Sequence, residues 1–370
     1  MVRPVRGRGP GGAGLTGVGL TGGAGRVGLR AQRGRAQLLT PGVRDPRDVV
    51  GLLVGIQAQD WRSARLALRA RTCGLAAADA TPDDGSVVVA WLLRGTLHLV
   101  RTEDHGWLLG LTARAGVVES RRRLAEEGVT DRQVDTALQV IGAELACGAA
   151  RSRAELADRL AAAGVPVVGQ AVHHCVRLAA LHGQAVLVPA GTSGELLVRA
   201  VGRHAEPIDR HVAVVELARR YLLGHGPATA ADLAAWSGLP LRDARAGMSG
   251  LGTALVERVD GLADVAERDV AALPALPPRL LPPFDPYLLG WADRSFAVPE
   301  HLRSRVQPGG GMLRACATVD GAVVGTWGLR RRGGRAEVAL DVADPAHAEA
   351  LQPEVADVAR FAVGAAPPES

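Results

Sequence analysis

The stretch TAADLAAWSGLPLRDARAGMSGL, residues 229–251, predicts two short helices separated by a turn. Thr229 is a favourable residue to begin the first helix, and Gly238-Leu239-Pro240 interrupts the helical pattern before the second. A short helix, a glycine-containing turn and a second helix have the spacing of a helix-turn-helix. The residues that follow, ALVERVDG (254–261), indicate the first strand of a wing. The sequence therefore predicts a winged helix here.

Residues 151–205 predict a second winged helix. Ser152 and Glu155 form the capping-box pattern at the start of one helix. The stretch AVHHCVRLAALHGQAVLVPAGTSGELLVRA (171–200) then predicts a helix, a strand, a turn at Gly191–Gly194 and a second strand. The winged helix is thus expected to occur in tandem.

At 370 residues the chain is long enough for several domains. The predicted fold class is α+β, mostly α, with a strand-rich C-terminal part. The predicted parts are a disordered tail (1–26), an N-terminal winged-helix region (27–150), a second winged helix (151–205), a third winged helix (206–272), and a proline-rich linker with a β-rich region (273–370).

The β-rich region predicts an arginine-rich hairpin. Asp320-Gly321 is a hairpin turn signal, and Gly333-Gly334 predicts the turn of the next strand pair. The tip of this second hairpin carries four arginines: Arg330, Arg331, Arg332 and Arg335. Such a tip can enter a groove of DNA or contact phosphates. The alternative is a charged turn that only faces solvent.

The composition favours an anionic partner. The net charge is +5, and all 43 basic residues are arginine, so the sequence contains no lysine. Arginine binds phosphate with two parallel hydrogen bonds. Without lysine, no side-chain amine can form a Schiff base with a sugar aldehyde. GC-rich codon usage is the favoured explanation of the excess of arginine, but these chemical consequences hold whatever the cause.

The remaining composition argues against metal, disulfide and membrane chemistry. Cys73, Cys147, Cys175 and Cys316 form no C-x-x-C pair, which fits a reducing cytoplasm. The pattern His173-His174-Cys175 is a poor metal site, because adjacent helical residues point in different directions. No apolar run reaches the length of a membrane span. We expect a cytoplasmic monomer that needs neither a metal nor another cofactor.

Two stretches contain unusual polar residues. In GIQAQDW (55–61), Gln57 and Gln59 flank one alanine, and this reads either as a helix start or as a catalytic site. The stretch VVVAWLLRGTLHLV (87–100) predicts the end of a helix running into a strand. In that strand Arg94, Thr96 and His98 alternate with apolar or small residues, which puts them on one face. A structural histidine with satisfied polar atoms is the alternative interpretation of His98.

Four separated motifs resemble one family. GIQAQDWRSARLALRAR, RGTLHLV, GPATAADLAAWSGLPLRDAR and LLPPFDPYLLGWADRS are similar, in this order, to the winged-helix DNA glycosylases of the AlkZ/YcaQ type. The resemblance covers roughly residues 28–340 and leaves out the tail and the last 30 residues. It implies tandem winged helices around a concave, positive DNA-binding cleft.

The resemblance also implies a catalytic motif. The family uses Gln-x-Gln or Gln-x-Asp, assisted by a β-hairpin, and Gln57-Ala58-Gln59 matches the first form. That form belongs to the branch associated with self-resistance to DNA-alkylating natural products. We place the hairpin at 323–340. Asp60 stands one position too late for the second form, so it is expected to cap a helix or to pair with Arg62 or Arg65. The alternative is that a local kink turns Asp60 inward as the acid of the motif.

The chemistry of the two amides agrees with this implication. A glutamine cannot take a proton from water, but its carbonyl oxygen can hold a water and face a developing cation. This suffices only for a base that already leaves easily, such as a purine that alkylation has made cationic. The sequence thus predicts a monofunctional glycosylase that acts on alkylated or crosslinked purines in duplex DNA and has no activity on uracil. The expected DNA contacts are Arg62, Arg94, His98 and the hairpin arginines. A rival interpretation is a non-catalytic winged-helix regulator.

Overall fold

The computed structural model describes residues 23–80, 84–190, 194–202, 208–268, 275–332 and 335–364. These residues form a mixed α/β fold that is about half helical. The first elements are α1 (Gly23–Ala36), α2 (Pro46–Leu53), β1 (Ile56–Gln57), α3 (Trp61–Arg69), β2 (Val87–Trp91) and β3 (Leu97–Arg101). Helix α1 includes the last four residues of the stretch expected to be a disordered tail. The rest of that stretch lies outside the described residues.

The stretch 87–100 forms a hairpin, so the predicted helix end is wrong. Strands β2 and β3 pair antiparallel along their whole length, and Leu93–Gly95 forms a short 3₁₀ turn between them. The valines at 87–89 favour a strand because branched side chains pack well on a pleated surface. Arg94 adopts a left-handed conformation in the turn, with φ 53°. It therefore lies outside the strand on which it was expected to alternate with Thr96 and His98.

The middle of the chain contains the helices and strands predicted for residues 151–200, preceded by two longer helices. Its elements are α4 (Thr102–Glu126), α5 (Asp131–Leu145), α6 (Arg153–Ala162), α7 (Ala171–Leu181), β4 (Ala185–Pro189) and β5 (Leu196–Ala200). The capping box of Ser152 and Glu155 is confirmed. Residues 191–193 of the predicted turn lie outside the described residues.

Strands from two predicted parts share one sheet. The strand order is β1-β3-β2-β4-β5, and Val89 of β2 pairs with Leu187 of β4. The residues on the two sides of the expected boundary at 150 therefore contribute strands to one continuous sheet and share its core. This sheet places β1, with its glutamine, at one edge.

The stretch 229–251 contains the two helices that its sequence predicts. They are α9 (Ala230–Ser237) and α10 (Leu241–Ser249), preceded by α8 (Arg210–His225) and followed by the strand pair β6 (Leu255–Glu257) and β7 (Ala263–Val265). Thr229 begins α9 with a capping box that includes Asp232. Gly238 ends α9 with φ 79°, a conformation that glycine adopts without a steric penalty.

The C-terminal part forms a second sheet covered by helices. Its elements are β8 (Arg279–Leu281), α11 (Pro286–Leu289), α12 (Glu300–Val306), β9 (Cys316–Val319), β10 (Ala322–Arg332), β11 (Arg335–Val342), α13 (Pro345–Ala350) and α14 (Gln352–Val363). The strand order is β11-β10-β9-β8. Asp320-Gly321 turns β9 into β10, as predicted, with both φ angles positive. Part of the proline-rich stretch belongs to this sheet, since residues 279–281 form β8.

Candidate active site

Strand β1 places Gln57 beside His98. Helix α2 ends at Val54 in a left-handed conformation, and the chain then enters the two-residue strand. Gln57 is paired with His98 of β3 in the antiparallel register, so both side chains lie on the same face of the sheet. Gln57 is 9% exposed and His98 2%. The first glutamine of the motif is therefore a nearly buried strand residue, and the helix begins only later.

The two carboxamides of the motif are hydrogen-bonded to each other. Gln57 Nε2 donates to Gln59 Oε1 over 3.0 Å. In contrast to Gln57, the side chain of Gln59 is exposed. A nearly buried amide thus holds an exposed amide at the sheet edge.

Asp60 caps α3. Its Oδ1 accepts a hydrogen bond from the backbone N–H of Arg62, and its Oδ2 accepts one from Ser63 Oγ over 2.6 Å. This confirms the expected capping role. Trp61, the first residue of α3, is buried in the hydrophobic core. The only aromatic residue next to the motif in sequence is therefore turned away from the surface where a base could stack.

Arg94 is directed at the motif from the β2–β3 turn. Its Nη2 donates to Gln57 Oε1 over 3.3 Å, and its Nη1 donates to the backbone carbonyl of Trp236 in α9. Burial lowers the pKa of Arg94, and the positive charge of Arg294 lowers it further. Sequence reasoning missed both Trp236 and Arg294, since they lie about 140 and 200 residues away in the chain and carry no local signal for this site.

His98 is a neutral imidazole. Its Nδ1 lies 3.0 Å from the backbone carbonyl oxygen of Thr96. Because a carbonyl only accepts, Nδ1 carries the proton and Nε2 keeps a lone pair. Burial, followed by the charge of Arg94, lowers the pKa of His98 to about 3.

This lowered pKa predicts a pH dependence of stability. The unfolded chain binds a proton at His98 below pH 6.5 while the folded chain does not, so the contribution is complete above pH 6.5 and is lost as pH falls toward 3. The free energy of unfolding should fall by about 1.4 kcal/mol per pH unit for this residue. The free energy of unfolding can be measured with urea at several values between pH 7.5 and 5. Its decrease with falling pH should be smaller in His98→Asn, whose side chain can still donate to the carbonyl of Thr96. Equal slopes would contradict a neutral His98.

The predicted hairpin arginines lie at the end of a long strand pair. Strands β10 and β11 stay in register up to the pair Arg332–Arg335. Arg330, Arg331 and Arg335 are exposed, whereas the Arg332 side chain and Gly333-Gly334 lie outside the described residues. Burial and then the charge of Arg331 lower the pKa of Arg65 in α3. The charge of Arg331 thus reaches Arg65 in α3, the helix that follows the glutamine motif.

Arg62, near the glutamine motif, lies close to the hairpin formed by β4 and β5. Its side chain is exposed, and its Nε would lie 3.7 Å from a Cβ placed on Gly194, just before β5. The structure thus brings together Gln57, Gln59, Arg94 and His98, with Arg62 close by in sequence.

A cationic cavity opens next to Arg94. Its volume is about 840 Å³, and it lies between α4 and the α9–α10 turn. Five arginines line it: Arg94, Arg114, Arg177, Arg210 and Arg242. Glu119 pairs with Arg177, and Asp243 pairs with Arg210. The lining therefore keeps an excess of positive charge.

Helix α14, which lies outside the sequence motifs, is hydrogen-bonded to α3. Arg69 donates to Glu354 over 2.7 Å and to Asp357 over 2.8 Å. In addition, Arg360 donates to the backbone carbonyl of Leu75. The position of α3, and with it the end of the glutamine motif, thus depends on residues near the C-terminus of the described chain.

The comparison with known families decides the assignment. The sequence model of the AlkZ-like DNA glycosylases matches residues 50–361. The chain belongs to this family. It is thus a DNA glycosylase, an enzyme that hydrolyses N-glycosyl bonds. The match confirms the resemblance seen in the motifs and extends it into α14, beyond the expected limit at 340. The rival interpretation as a non-catalytic regulator is not supported.

Individual relatives agree with the family. The chain is 32% identical over 326 residues to an interstrand DNA cross-link repair glycosylase of Streptomyces sahachiroi, which covers 80% of this chain and 86% of the relative. It is also similar to the solved structure of Streptomyces sahachiroi DNA glycosylase AlkZ, with a TM-score of 0.73 and 26% identity, over 92% of this chain and 97% of that chain. Among the described residues, none of the helices has the length and apolarity needed to cross a bilayer.

Proposed function

We propose that this glycosylase releases alkylated purines from duplex DNA, with Gln57 and Gln59 as its catalytic residues. The expected substrates are N7-alkylguanine, N3-alkyladenine, bulky purine adducts and interstrand crosslinks. The observation that carries the proposal is the hydrogen-bonded pair of amides at the sheet edge, beside an aspartate that is engaged in capping α3. The Streptomyces sahachiroi relative is an interstrand DNA cross-link repair glycosylase, which supports this choice of substrates.

The two amides of the motif cannot accept a proton from water, which argues for cationic lesions as substrates. In hydrolysis the bond between C1′ and N9 breaks, and its electron pair neutralises the cationic purine as it leaves. Water then forms the new bond to C1′ and loses its proton to solvent. The exposed Gln59 can hold this water by its carbonyl oxygen and direct the same dipole at the oxocarbenium-like sugar. An uncharged nucleobase would need an acid to protonate it or a catalytic group that deprotonates water. Amides supply neither.

Several features support binding of duplex DNA around this site. We interpret α8–β7 and the preceding α6–β5 as winged helices that scaffold a concave cleft, because each has helices followed by a strand pair. Arg62, the exposed hairpin arginines at 330, 331 and 335, and Arg332 at the same tip are proposed to contact phosphates or a groove. His98, expected from the sequence to contact DNA, is 2% exposed, so we propose that it supports Gln57 across the strand pair and does not touch the duplex. A cytoplasmic monomer without a cofactor remains a prediction from the sequence.

The test uses three duplexes that contain N7-methylguanine, uracil or a purine interstrand crosslink. We expect free 7-methylguanine and unhooked crosslinks, with no uracil, when the products are separated by chromatography and denaturing gels. Because the chain contains no lysine, the product should be an abasic site that is cleaved only after added alkali. Release of uracil at a comparable rate would overturn the proposed role of the amides.

A further inference from the structure

Arg94 lies in the β2–β3 turn and packs against the turn between α9 and α10. Its backbone is left-handed, with φ 53° and ψ 15°, which is uncommon for a residue with a side chain and is tolerated where the surroundings fix it. The α9–α10 turn packs directly against it, because a Cβ on Gly238 would lie 3.1 Å from the Arg94 backbone nitrogen and 3.2 Å from its Cα. Arg94 therefore joins the β2–β3 turn to the end of α9.

The guanidinium of Arg94 also determines how the Gln57 amide is oriented. A guanidinium has only donors, so the group that faces it must be the carbonyl oxygen of Gln57. With Oε1 turned to Arg94 over 3.3 Å, Nε2 is left to donate to Gln59 Oε1 over 3.0 Å. The hydrogen bonds run in series from Arg94 through Gln57 to Gln59. An amide without such a neighbour can occupy two orientations that differ in which atom is the acceptor.

We infer that Arg94 is a positioning residue, which fixes the amide pair and couples it to the placement of α9 and α10. This inference rests on the proposed function, and it divides the motif into an exposed Gln59 that meets substrate and a nearly buried Gln57 that orients it. The second hydrogen bond of Arg94, to the carbonyl of Trp236, makes the amide orientation depend on the α9–α10 unit. A DNA duplex that contacts this unit thereby also supports the geometry of the amide pair.

A double-mutant cycle tests the coupling. Arg94→Met is expected to slow single-turnover release of 7-methylguanine by about 10²-fold, the effect of a small misplacement of catalytic groups. In a Gln57→Ala background the same substitution should cause no further loss, because Arg94 acts through Gln57. Arg114→Met is the matched control, since Arg114 is exposed and lines the same cavity. Its effect on the rate of release should be the same in the wild-type and Gln57→Ala backgrounds, because it is expected to act independently of Gln57.

The opposite result is equally clear. If Arg94 is instead a direct phosphate contact, Arg94→Met should weaken the affinity for undamaged duplex, and its effect on release should persist in the Gln57→Ala background. That outcome would overturn the inference. Should Arg94→Met fail to fold, Arg94→Lys replaces it in the cycle, since an ammonium keeps the charge but lacks the planar fork that reaches two acceptors.

A measurement without substrate separates this inference from the proposed function. The side-chain amide signals of Gln57 in ¹⁵N–¹H spectra can be assigned by their loss in Gln57→Ala. They should shift in Arg94→Met and stay in place in Arg114→Met, in the absence of DNA. Unchanged signals would overturn the positioning role. If wild type releases no purine while the signals shift, the proposed function fails and the positioning role stands.

Discussion

Replacement of Gln59 by leucine is expected to lower the rate of purine release by about 10²–10³-fold, the effect of removing one well-placed group that stabilises developing charge. Leucine has nearly the size of glutamine but neither holds a water nor directs a dipole at the sugar. Gln57→Leu should cost a similar factor, because it removes the donor to Gln59 Oε1 and the acceptor for Arg94. The measurement is single-turnover release of 7-methylguanine with enzyme in excess.

The double variant distinguishes a unit from two independent groups. If the amides act together, Gln57→Leu with Gln59→Leu should be little slower than the slower single variant. Duplex affinity should be retained in all three variants, since neither substitution removes a charge. Wild-type rates in the double variant would remove the amides from the mechanism.

Asp60→Asn is the matched control for the motif. Asparagine caps a helix about as well as aspartate, so the substitution removes the carboxylate while preserving the start of α3. We expect nearly unchanged release. A large loss of activity in Asp60→Asn, with activity retained in Gln59→Leu, would show that the carboxylate and not the amides carries out the catalysis.

The sequence predicted the elements whose signals are local. The capping residues Thr229 and Ser152, the glycine that ends α9 and the Asp-Gly turn each act within a few residues, and each appears in the structure at its expected place. The catalytic motif itself was also recognisable, because its residues are adjacent. Its environment was not, since β1 is a two-residue strand that exists only through its pairing with β3, some 40 residues later.

Arg94 shows most clearly what the sequence alone could not give. Its position two residues from Thr96 suggested a strand face, but its φ of 53° places it in a turn. Its partners, Gln57 and the carbonyl of Trp236, come from distant parts of the chain. The contribution of α14 was missed for the same reason, because the carboxylates that bind Arg69 lie about 290 residues away.

Asp285→Asn is expected to cause the largest loss of stability, because it leaves a buried guanidinium without its counter-ion. The side chains of Arg71 and Asp285 are both fully buried and form two parallel hydrogen bonds of 2.8 and 2.9 Å. This pair joins the end of α3 to the start of α11. Breaking a buried pair at one partner costs about 3–5 kcal/mol in the free energy of unfolding. Urea unfolding at pH 7 measures the change.

Two controls assign the loss to the isolated charge. Asparagine can still accept the N-cap hydrogen bond that Asp285 receives from the backbone of Tyr287, so the start of α11 is kept. Adding Arg71→Met removes the buried charge and should restore part of the stability. Glu103→Gln breaks an exposed pair with Arg47 and should lower the free energy of unfolding far less than Asp285→Asn, because solvent screens the exposed charges. If Asp285→Asn proves as mild as Glu103→Gln, the carbonyl of Ala67 and the amide of Gln37, which also accept from Arg71, are sufficient to hold its charge.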